Sequence, residues 1–172
     1  MSLTQYNFTP VNKLIDDDIE SLYDIMEREG SADTVFYDGI INSRRAFLRF
    51  IKGYRCYLVR VEEFSGVIAG VFWLNEFIGK SAMLHFCTFG NDVGAKERLC
   101  TQAMQWVSDK KVLDSLYGLT PKPYRHIWQL MRAIGCTKRG SLPGACHLKY
   151  HDRYVDGIIS VIDLRNYDLG RE

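Results

Sequence analysis

The chain has 172 residues, the length of one ordinary domain, because a single hydrophobic core is enough for a chain of this size. Apolar residues make up 47% and charged residues 25%, which is typical of globular proteins and excludes collagen-like, disordered and membrane-protein compositions. The formal net charge is only +1, which disfavours a nucleic-acid-binding domain with a strongly basic surface.

The charges are distributed unevenly along the chain. Residues 1–40 hold two basic residues against nine acids. Residues 115–151 contain no Asp or Glu, and their basic side chains are Lys122, Arg125, Arg132, Lys138, Arg139 and Lys149. Such a stretch either binds an anion or forms a solvated basic face, and charge alone leaves both interpretations open.

Membrane, export and metal signals are weak. No apolar run approaches the roughly 20 residues that cross a bilayer, and the N-terminus lacks a basic segment followed by a hydrophobic one. Five widely spaced cysteines fit a reducing compartment, so we expect a cytoplasmic protein. We expect no metal site, because Cys146, His147 and His151 have no second ligand pair at zinc spacing.

The N-terminal part predicts one extended segment, residues 4–9, and two amphipathic helices. The first helix takes its N-cap and first-turn acids from Asp16-Asp17-Asp18 and ends at Gly30. The second begins near Asn42-Ser43 and stops at Gly53. Their apolar residues recur at helical spacing, so both helices should cover a sheet.

Three strands are predicted next, over residues 55–61, 67–74 and 81–88, because these segments are rich in β-branched and aromatic residues. Short turns containing Gly66 and Gly79 separate them. Connections this short join antiparallel neighbours.

The pattern then changes to strand, helix and strand. Residues 90–94 lead into a helix that ends near Lys110-Lys111, and a strand over residues 112–119 follows. This spacing is typical of a right-handed crossover, which makes strands 81–88 and 112–119 parallel. The remaining elements are a helix over residues 124–134 capped by Gly135 and strands around residues 145–150 and 157–164.

This element order resembles the GNAT superfamily of acyl-CoA-dependent N-acyltransferases over nearly the whole chain, and the chain looks like a divergent member. Residues 66–71 (GVIAGV) look like the family's central strand, and residues 91–96 (NDVGAK) fall where the family has its Gln/Arg-x-x-Gly-x-Gly/Ala pyrophosphate loop. Residues 119–139 are similar to the family's segment after the parallel strand. The resemblance implies an α+β fold with α/β/α layers in a single domain, residues 1–172. Its central sheet would be mixed and mostly antiparallel, with one parallel crossover pair and helices on both faces.

The resemblance implies acetyl-CoA, or another acyl-CoA, as co-substrate. Backbone N–H groups at a helix N-terminus bind phosphate oxygens, and glycine lets them approach closely. Lys122 or Arg125 would lie near the adenosine 3′-phosphate. The implied cofactor-binding residues are Phe86, Thr88, Asn91, Val93, Gly94, Ala95, Lys96, Lys122, Tyr124 and Arg125.

Two positions depart from the family's pattern. Lys96 occupies the second small position of the loop, where its side chain either crowds the pyrophosphate or pairs with it. Met131 stands where many members have a Tyr that protonates the departing thiol. Because a CoA thiolate is a tolerable leaving group, this loss need not abolish transfer.

The implied activity is transfer of an acyl group, most simply acetyl, to a primary amine by direct attack. His85 and Glu76 are candidate general bases, and Tyr117 is a candidate acid. Each of the three also has a purely structural interpretation. His85 could be a packed core histidine, Glu76 a solvated strand end, and Tyr117 a packed strand aromatic. Cys87 shares a strand face with His85, so a thiol nucleophile is a further alternative.

Two other functions stay open. One is a catalytically degenerate GNAT-fold protein that acts as an assembly or accessory factor through protein contacts, for example in a bacteriophage, with Phe36, Tyr37 and Trp128 as a contact patch. The other is a nucleic-acid binder that stacks bases on Tyr124, His126 and Trp128, which the near-neutral charge disfavours. The expected partners are acyl-CoA and an amine acceptor, with no membrane, and a homodimer is an option.

Overall fold

A computed structural model describes residues 6–53 and 55–167 of the chain. The strands are β1 (Tyr6–Pro10), β2 (Tyr57–Glu63), β3 (Ile68–Ile78), β4 (Ser81–Thr88), β5 (Ser115–Pro121), β6 (Thr137–Leu148) and β7 (Arg153–Asp163). The α-helices are α1 (Asp16–Arg28), α2 (Ala32–Val35), α3 (Arg44–Ile51), α4 (Val93–Asp109) and α5 (Arg125–Ala133). Residues 4 and 5 of the predicted first strand lie outside the described residues.

The seven strands form a mixed sheet in the order β1-β2-β3-β4-β5-β7-β6. Strand β2 is antiparallel to β1 and β3, and β7 is antiparallel to β5 and β6. Strands β4 and β5 are parallel and pair over Ser81, Ala82 and Met83. This arrangement confirms the predicted α+β class with a mostly antiparallel sheet and one parallel crossover pair.

Backbone contacts divide the described chain into two compact units. The N-terminal unit contains the residues up to Glu76 together with His85–Asp92, and the C-terminal unit contains Phe77–Leu84 and the residues from Val93 onward. The division falls inside β3 and β4. One domain over residues 1–172 stays a prediction.

The N-terminal unit is built around Trp73 of β3, which is 1% exposed. Its ring centroid lies 5.7 Å from that of Phe36, 6.0 Å from that of Phe47 and 6.4 Å from that of Phe50. Helices α1 and α3 contribute further apolar side chains to this cluster because their apolar residues recur at helical spacing. Aromatic pairs at these distances stabilise the unit beyond the contribution of their buried area. These contacts fix the position of the Trp73 ring on its face of β3.

The start of α1 differs from the prediction. Its N-cap is Ile15, and Asp16 is already helical. The backbone N–H of Ile15 donates to Asp18 Oδ2 at 3.2 Å, so the third acid accepts a hydrogen bond from the N-cap residue, as the N3 residue of a capping box does. Helix α3 begins as predicted, because Ser43 Oγ accepts a hydrogen bond from the N–H of Ala46.

In the C-terminal unit, β6 begins at Thr137, well before the predicted strand 145–150. Gly140, Pro143 and Gly144 are residue types typical of loops. Instead, the register shifts between Lys138 and Gly140 and again between Leu142 and Cys146, so bulges absorb these residues. An edge strand tolerates a proline that a central strand would not.

We expect Gly157→Ala to lower the free energy of unfolding by about 1–3 kcal/mol, because a Cβ at this position of β7 would lie only 2.5 Å from Leu119 Cδ1 and 3.1 Å from Cys146 Sγ. Urea denaturation of both proteins measures this difference. The matched control is Gly140→Ala, where a Cβ meets nothing within 4 Å. Equal destabilisation by the two substitutions would show that the close packing at Gly157 has no energetic consequence.

Candidate active site

His85 lies in the second half of β4, with its ring stacked on that of Trp73 at 5.2 Å between centroids and 4° between planes. Its Nε2 is 3.0 Å from Asn75 Oδ1 on β3. An amide oxygen only accepts hydrogen bonds, so this contact places the imidazole proton on Nε2 and leaves a lone pair on Nδ1. No described residue offers Nδ1 a hydrogen bond. The arrangement therefore presents an oriented, unoccupied basic nitrogen.

The surroundings of His85 keep the imidazole neutral at physiological pH. Burial lowers the pKa of His85 from 6.5 to about 4, and the negative charge of Asp38 opposes this effect. A neutral imidazole has a lone pair that can accept a proton, and a pKa this low makes it a weaker base than an ordinary histidine. Asn75 was missed at the sequence level, although its position two residues after Trp73 puts it on the same strand face.

Cys87 lies two residues after His85 and belongs to the apolar core of the N-terminal unit. Its Sγ is 3.2 Å from Ser31 Oγ, which follows the end of α1. With the side chain 3% exposed, the sulfur is packed into the core rather than presented to a substrate. This placement offers no support for the thiol-nucleophile alternative.

The other two predicted catalytic residues lie in different units. Glu76 is exposed and has a φ of +45°, a left-handed conformation that marks a local irregularity in β3. Strand β3 continues past it to Ile78, so Glu76 is not the strand end that the sequence predicted. Tyr117 is half-buried in β5 and is in register with Met83 and Val161.

Two predicted cofactor-binding residues are in the second half of β4. The ring of Phe86 stacks on that of Phe72, with 5.6 Å between centroids. Thr88 is the last residue of the strand and is half-buried. Their proposed role in lining the acyl chain stays a prediction.

The loop between β4 and α4 carries the predicted phosphate-binding groups. Gly90 has a φ of +77°, and its N–H donates to Glu29 Oε2 at 3.3 Å. Asn91 precedes α4, whose first residues are Val93, Gly94, Ala95 and Lys96. The first N–H groups of an α-helix have no partner within the helix, which suits them to phosphate oxygens. Glu29 therefore accepts the hydrogen bond of the Gly90 N–H, and Gly90 immediately precedes in the chain the segment expected to bind phosphate.

The basic candidates at the start of α5 differ in their contacts. Lys122 Nζ donates to Asp156 Oδ2 at 3.0 Å, and this hydrogen bond, with a further one from the Gly144 N–H, lowers the pKa of Asp156. Arg125 is exposed and has no ion-pair partner among residues 6–53 and 55–167. Tyr124 is the half-buried N-cap of α5. Of the two residues expected near the 3′-phosphate, Arg125 is the available cation.

No protein-family model and no curated protein matches the sequence. The structure, by contrast, resembles spermidine N-acetyltransferase from Vibrio cholerae, solved with CoA and spermine, with a TM-score of 0.77 over 95% of this chain and 98% of that chain at 15% identity. It also resembles ribosomal-protein-S5-alanine acetyltransferase from Vibrio fischeri, with a TM-score of 0.72 over 95% and 96% of the two chains at 10% identity. A GNAT-family acetyltransferase from Streptococcus pneumoniae matches with a TM-score of 0.66 over 92% and 99% at 13% identity.

The chain has the GNAT fold. The resemblance predicted from element order and from the segments at residues 66–71 and 91–96 is thus confirmed at the level of architecture. The bacteriophage connection stays a prediction.

In this GNAT fold, the position of the expected tyrosine is filled by Met131, which is 8% exposed. A Cβ placed on Gly118 of β5 would lie 3.8 Å from Met131 Cε and 3.2 Å from Ser160 Oγ. Ser160 Oγ is buried and has no hydrogen-bond partner in the described chain. An apolar side chain and a small hydroxyl therefore lie near Gly118.

Phe36, one of the three residues expected to form a protein-contact patch, packs in the core of the N-terminal unit. It cannot serve that purpose. Within residues 6–53 and 55–167, no three His, Cys, Asp or Glu side chains gather in a way that could hold a metal ion. No helix in the described part of the chain has both the length and the hydrophobicity needed to span a membrane.

Proposed function

We propose that the protein is an N-acyltransferase, most simply an acetyltransferase, that moves the acyl group of acyl-CoA to a primary amine. The observation that carries this proposal is His85. Its Nδ1 is unpartnered among the described residues, Asn75 fixes its tautomer, and the imidazole is neutral near pH 7. It lies on β4 of a GNAT fold, and two similar solved structures are named ribosomal-protein-S5-alanine acetyltransferase and spermidine N-acetyltransferase.

The proposed chemistry is a single displacement. The amine nitrogen attacks the thioester carbonyl carbon, a C–N bond forms, and the C–S bond breaks. The proton lost by the attacking nitrogen passes to Nδ1 of His85. Coenzyme A leaves as a thiolate, which takes a proton from solvent, because a thiol with a pKa of about 8.5 is an adequate leaving group without a dedicated acid. Glu76 and Tyr117 remain proposed as an alternative base and acid.

For the co-substrate we propose contacts from the backbone at Asn91, Val93, Gly94 and Ala95, from Lys96, and from Arg125 at the 3′-phosphate. Phe86, Thr88, Lys122 and Tyr124 complete the proposed set. Glu29 already accepts the hydrogen bond of the Gly90 N–H, and Asp156 neutralises the charge of Lys122. We therefore expect weaker phosphate binding than an unopposed helix N-terminus would give.

Calorimetric titration with acetyl-CoA, beside dephospho-CoA, tests the proposal. We expect a dissociation constant on the order of micromolar for acetyl-CoA, weaker binding without the 3′-phosphate, and no binding by Gly94→Trp, because an indole blocks approach to the backbone. The matched control is Glu97→Trp, at an exposed position one turn further along α4. No heat with acetyl-CoA at millimolar concentration would overturn the proposal and favour the accessory-factor alternative.

A further inference from the structure

Ser160 of β7, in the C-terminal unit, carries a buried hydroxyl without a partner. The residue is 0% exposed, and its Oγ has no hydrogen-bond partner among residues 6–53 and 55–167. Another buried serine of the same unit, Ser108, donates from its Oγ to the carbonyl oxygen of Leu164 at 2.8 Å. Buried hydroxyl groups normally have such partners, so the unused donor at Ser160 indicates a partner that is not part of the described chain.

The unpartnered hydroxyl lies against a glycine. Ser160 is in register with Gly118 of β5, and a Cβ on Gly118 would lie 3.2 Å from Ser160 Oγ and 3.8 Å from Met131 Cε. The φ of Gly118 is not in the left-handed region, so its backbone conformation does not require glycine. Any other residue at this position would press its side chain against the hydroxyl. Met131 has an unbranched, flexible side chain that can move aside, unlike a strand backbone.

The same position is the place where two parallel strands stop pairing. Strands β4 and β5 pair over three residues each, and the pairing ends at Met83 and Tyr117 although both strands continue. Leu84 and Gly118 are the next residues, and the carbonyl oxygen of Leu84 is 4.0 Å from the point where a Cβ of Gly118 would lie. The hydroxyl of Ser160 is therefore next to the point at which the parallel pair ends.

The groups at this point suit a sulfur atom that becomes charged. Ser160 offers a hydrogen-bond donor, and the methyl group of Met131 offers an apolar contact. A thioester sulfur is a poor hydrogen-bond acceptor, whereas a thiolate carries a full negative charge and attracts a donor strongly. A donor at this point would thus interact more strongly with the transition state than with the bound thioester, which is the condition for accelerating the reaction.

We propose that Ser160 is a further catalytic residue, whose hydroxyl donates a hydrogen bond to the sulfur of coenzyme A as the C–S bond breaks. The inference rests on the proposed acyl transfer and adds a residue to it. The electron pair of the broken bond stays on sulfur. Ser160 keeps its proton, because a hydroxyl is a weaker acid than a thiol, and the thiolate takes a proton from solvent. Met131 cannot donate a hydrogen bond, so β7 supplies a donor that α5 lacks.

The first test is calorimetric titration of the full chain with free CoA at about pH 7 and about pH 9.5, on either side of a thiol pKa of about 8.5. We expect Ser160→Ala to bind CoA as tightly as the wild type at the lower pH. At the higher pH, where the sulfur is a thiolate, the variant should bind about tenfold more weakly. A CoA analogue with hydrogen in place of the thiol is the control ligand, and the two proteins should bind it equally at each pH.

The matched control variant is Ser108→Ala, which should bind CoA as the wild type does at both pH values. Urea denaturation separates the two serines further. We expect Ser108→Ala to lower the urea midpoint, because the carbonyl oxygen of Leu164 loses its partner. Ser160→Ala should leave the midpoint unchanged or raise it, because it removes a buried hydroxyl that has no partner. A fall as large as that of Ser108→Ala would show that the Ser160 hydroxyl is bonded within the folded chain, and would overturn the inference.

The titration also separates this inference from the proposal on which it rests. If the wild type and Ser160→Ala bind CoA equally at about pH 9.5, Ser160 does not contact the sulfur, and the acyltransferase proposal stands without it. If the wild type binds neither CoA nor acetyl-CoA at millimolar concentration, the acyltransferase proposal and the role of Ser160 both fail.

Discussion

Replacing His85 with Gln should lower kcat for acetyl transfer by roughly 10²- to 10⁴-fold while leaving the affinity for acetyl-CoA almost unchanged. Gln keeps a hydrogen-bonding side chain of similar reach but has no basic nitrogen with which to take the proton of the attacking amine. Steady-state kinetics at saturating acceptor, together with calorimetric titration of acetyl-CoA, separates the loss of chemistry from a loss of binding.

The control for this experiment is Asn75→Ala, which keeps the imidazole but removes the oxygen 3.0 Å from Nε2. We expect a smaller fall in kcat, because both tautomers of His85 become populated and only one leaves Nδ1 free to accept a proton. If His85→Gln retains more than about a tenth of the wild-type kcat, the histidine is not the base. Glu76→Gln then becomes the variant to measure.

The fold could be predicted largely because hydrophobic periodicity is a local property. Strand β4 was predicted at its observed bounds, and α5 within one residue at each end. The early part of β6 was missed because Gly140, Pro143 and Gly144 are typical of loops. A strand at the edge of the sheet accommodates them through bulges that no local pattern reveals.

The site was less accessible to sequence reasoning because its decisive contacts join distant residues. His85 was a candidate from its residue type alone, whereas its partner Asn75 depends on how β3 and β4 are placed. The hydrogen bond from Gly90 to Glu29 joins residues 61 positions apart. The glycines of the loop therefore predicted free N–H groups for phosphate, and nothing in the sequence near them indicated that Glu29 binds one of these groups. Likewise, Lys122 was expected to meet a phosphate, but Asp156 is its partner in the structure.

The buried neutral state of His85 should also make the stability of the protein fall as the pH is lowered from about 6.5 to about 4. In the unfolded chain the imidazole has its ordinary pKa of 6.5, whereas burial lowers the pKa in the folded chain to about 4. Between these values the unfolded chain binds a proton that the folded chain does not, so acidification favours unfolding. This difference in pKa corresponds to about 3 kcal/mol once the pH reaches the lower value.

Urea denaturation of the wild type and of His85→Gln at about pH 7 and about pH 4 isolates this contribution, because every other titrating group is common to both proteins. The wild type should lose about 3 kcal/mol more than the variant between the two conditions. The carboxylates of Asp156 and Asp163, whose pKa values are lowered by Lys122 and Arg165, lose their stabilising effect in both proteins as the pH falls. Parallel losses in the two proteins would mean that the imidazole of His85 is protonated as readily in the folded chain as in the unfolded one. An imidazole that is protonated so readily would not be the neutral, oriented base on which the proposed transfer depends.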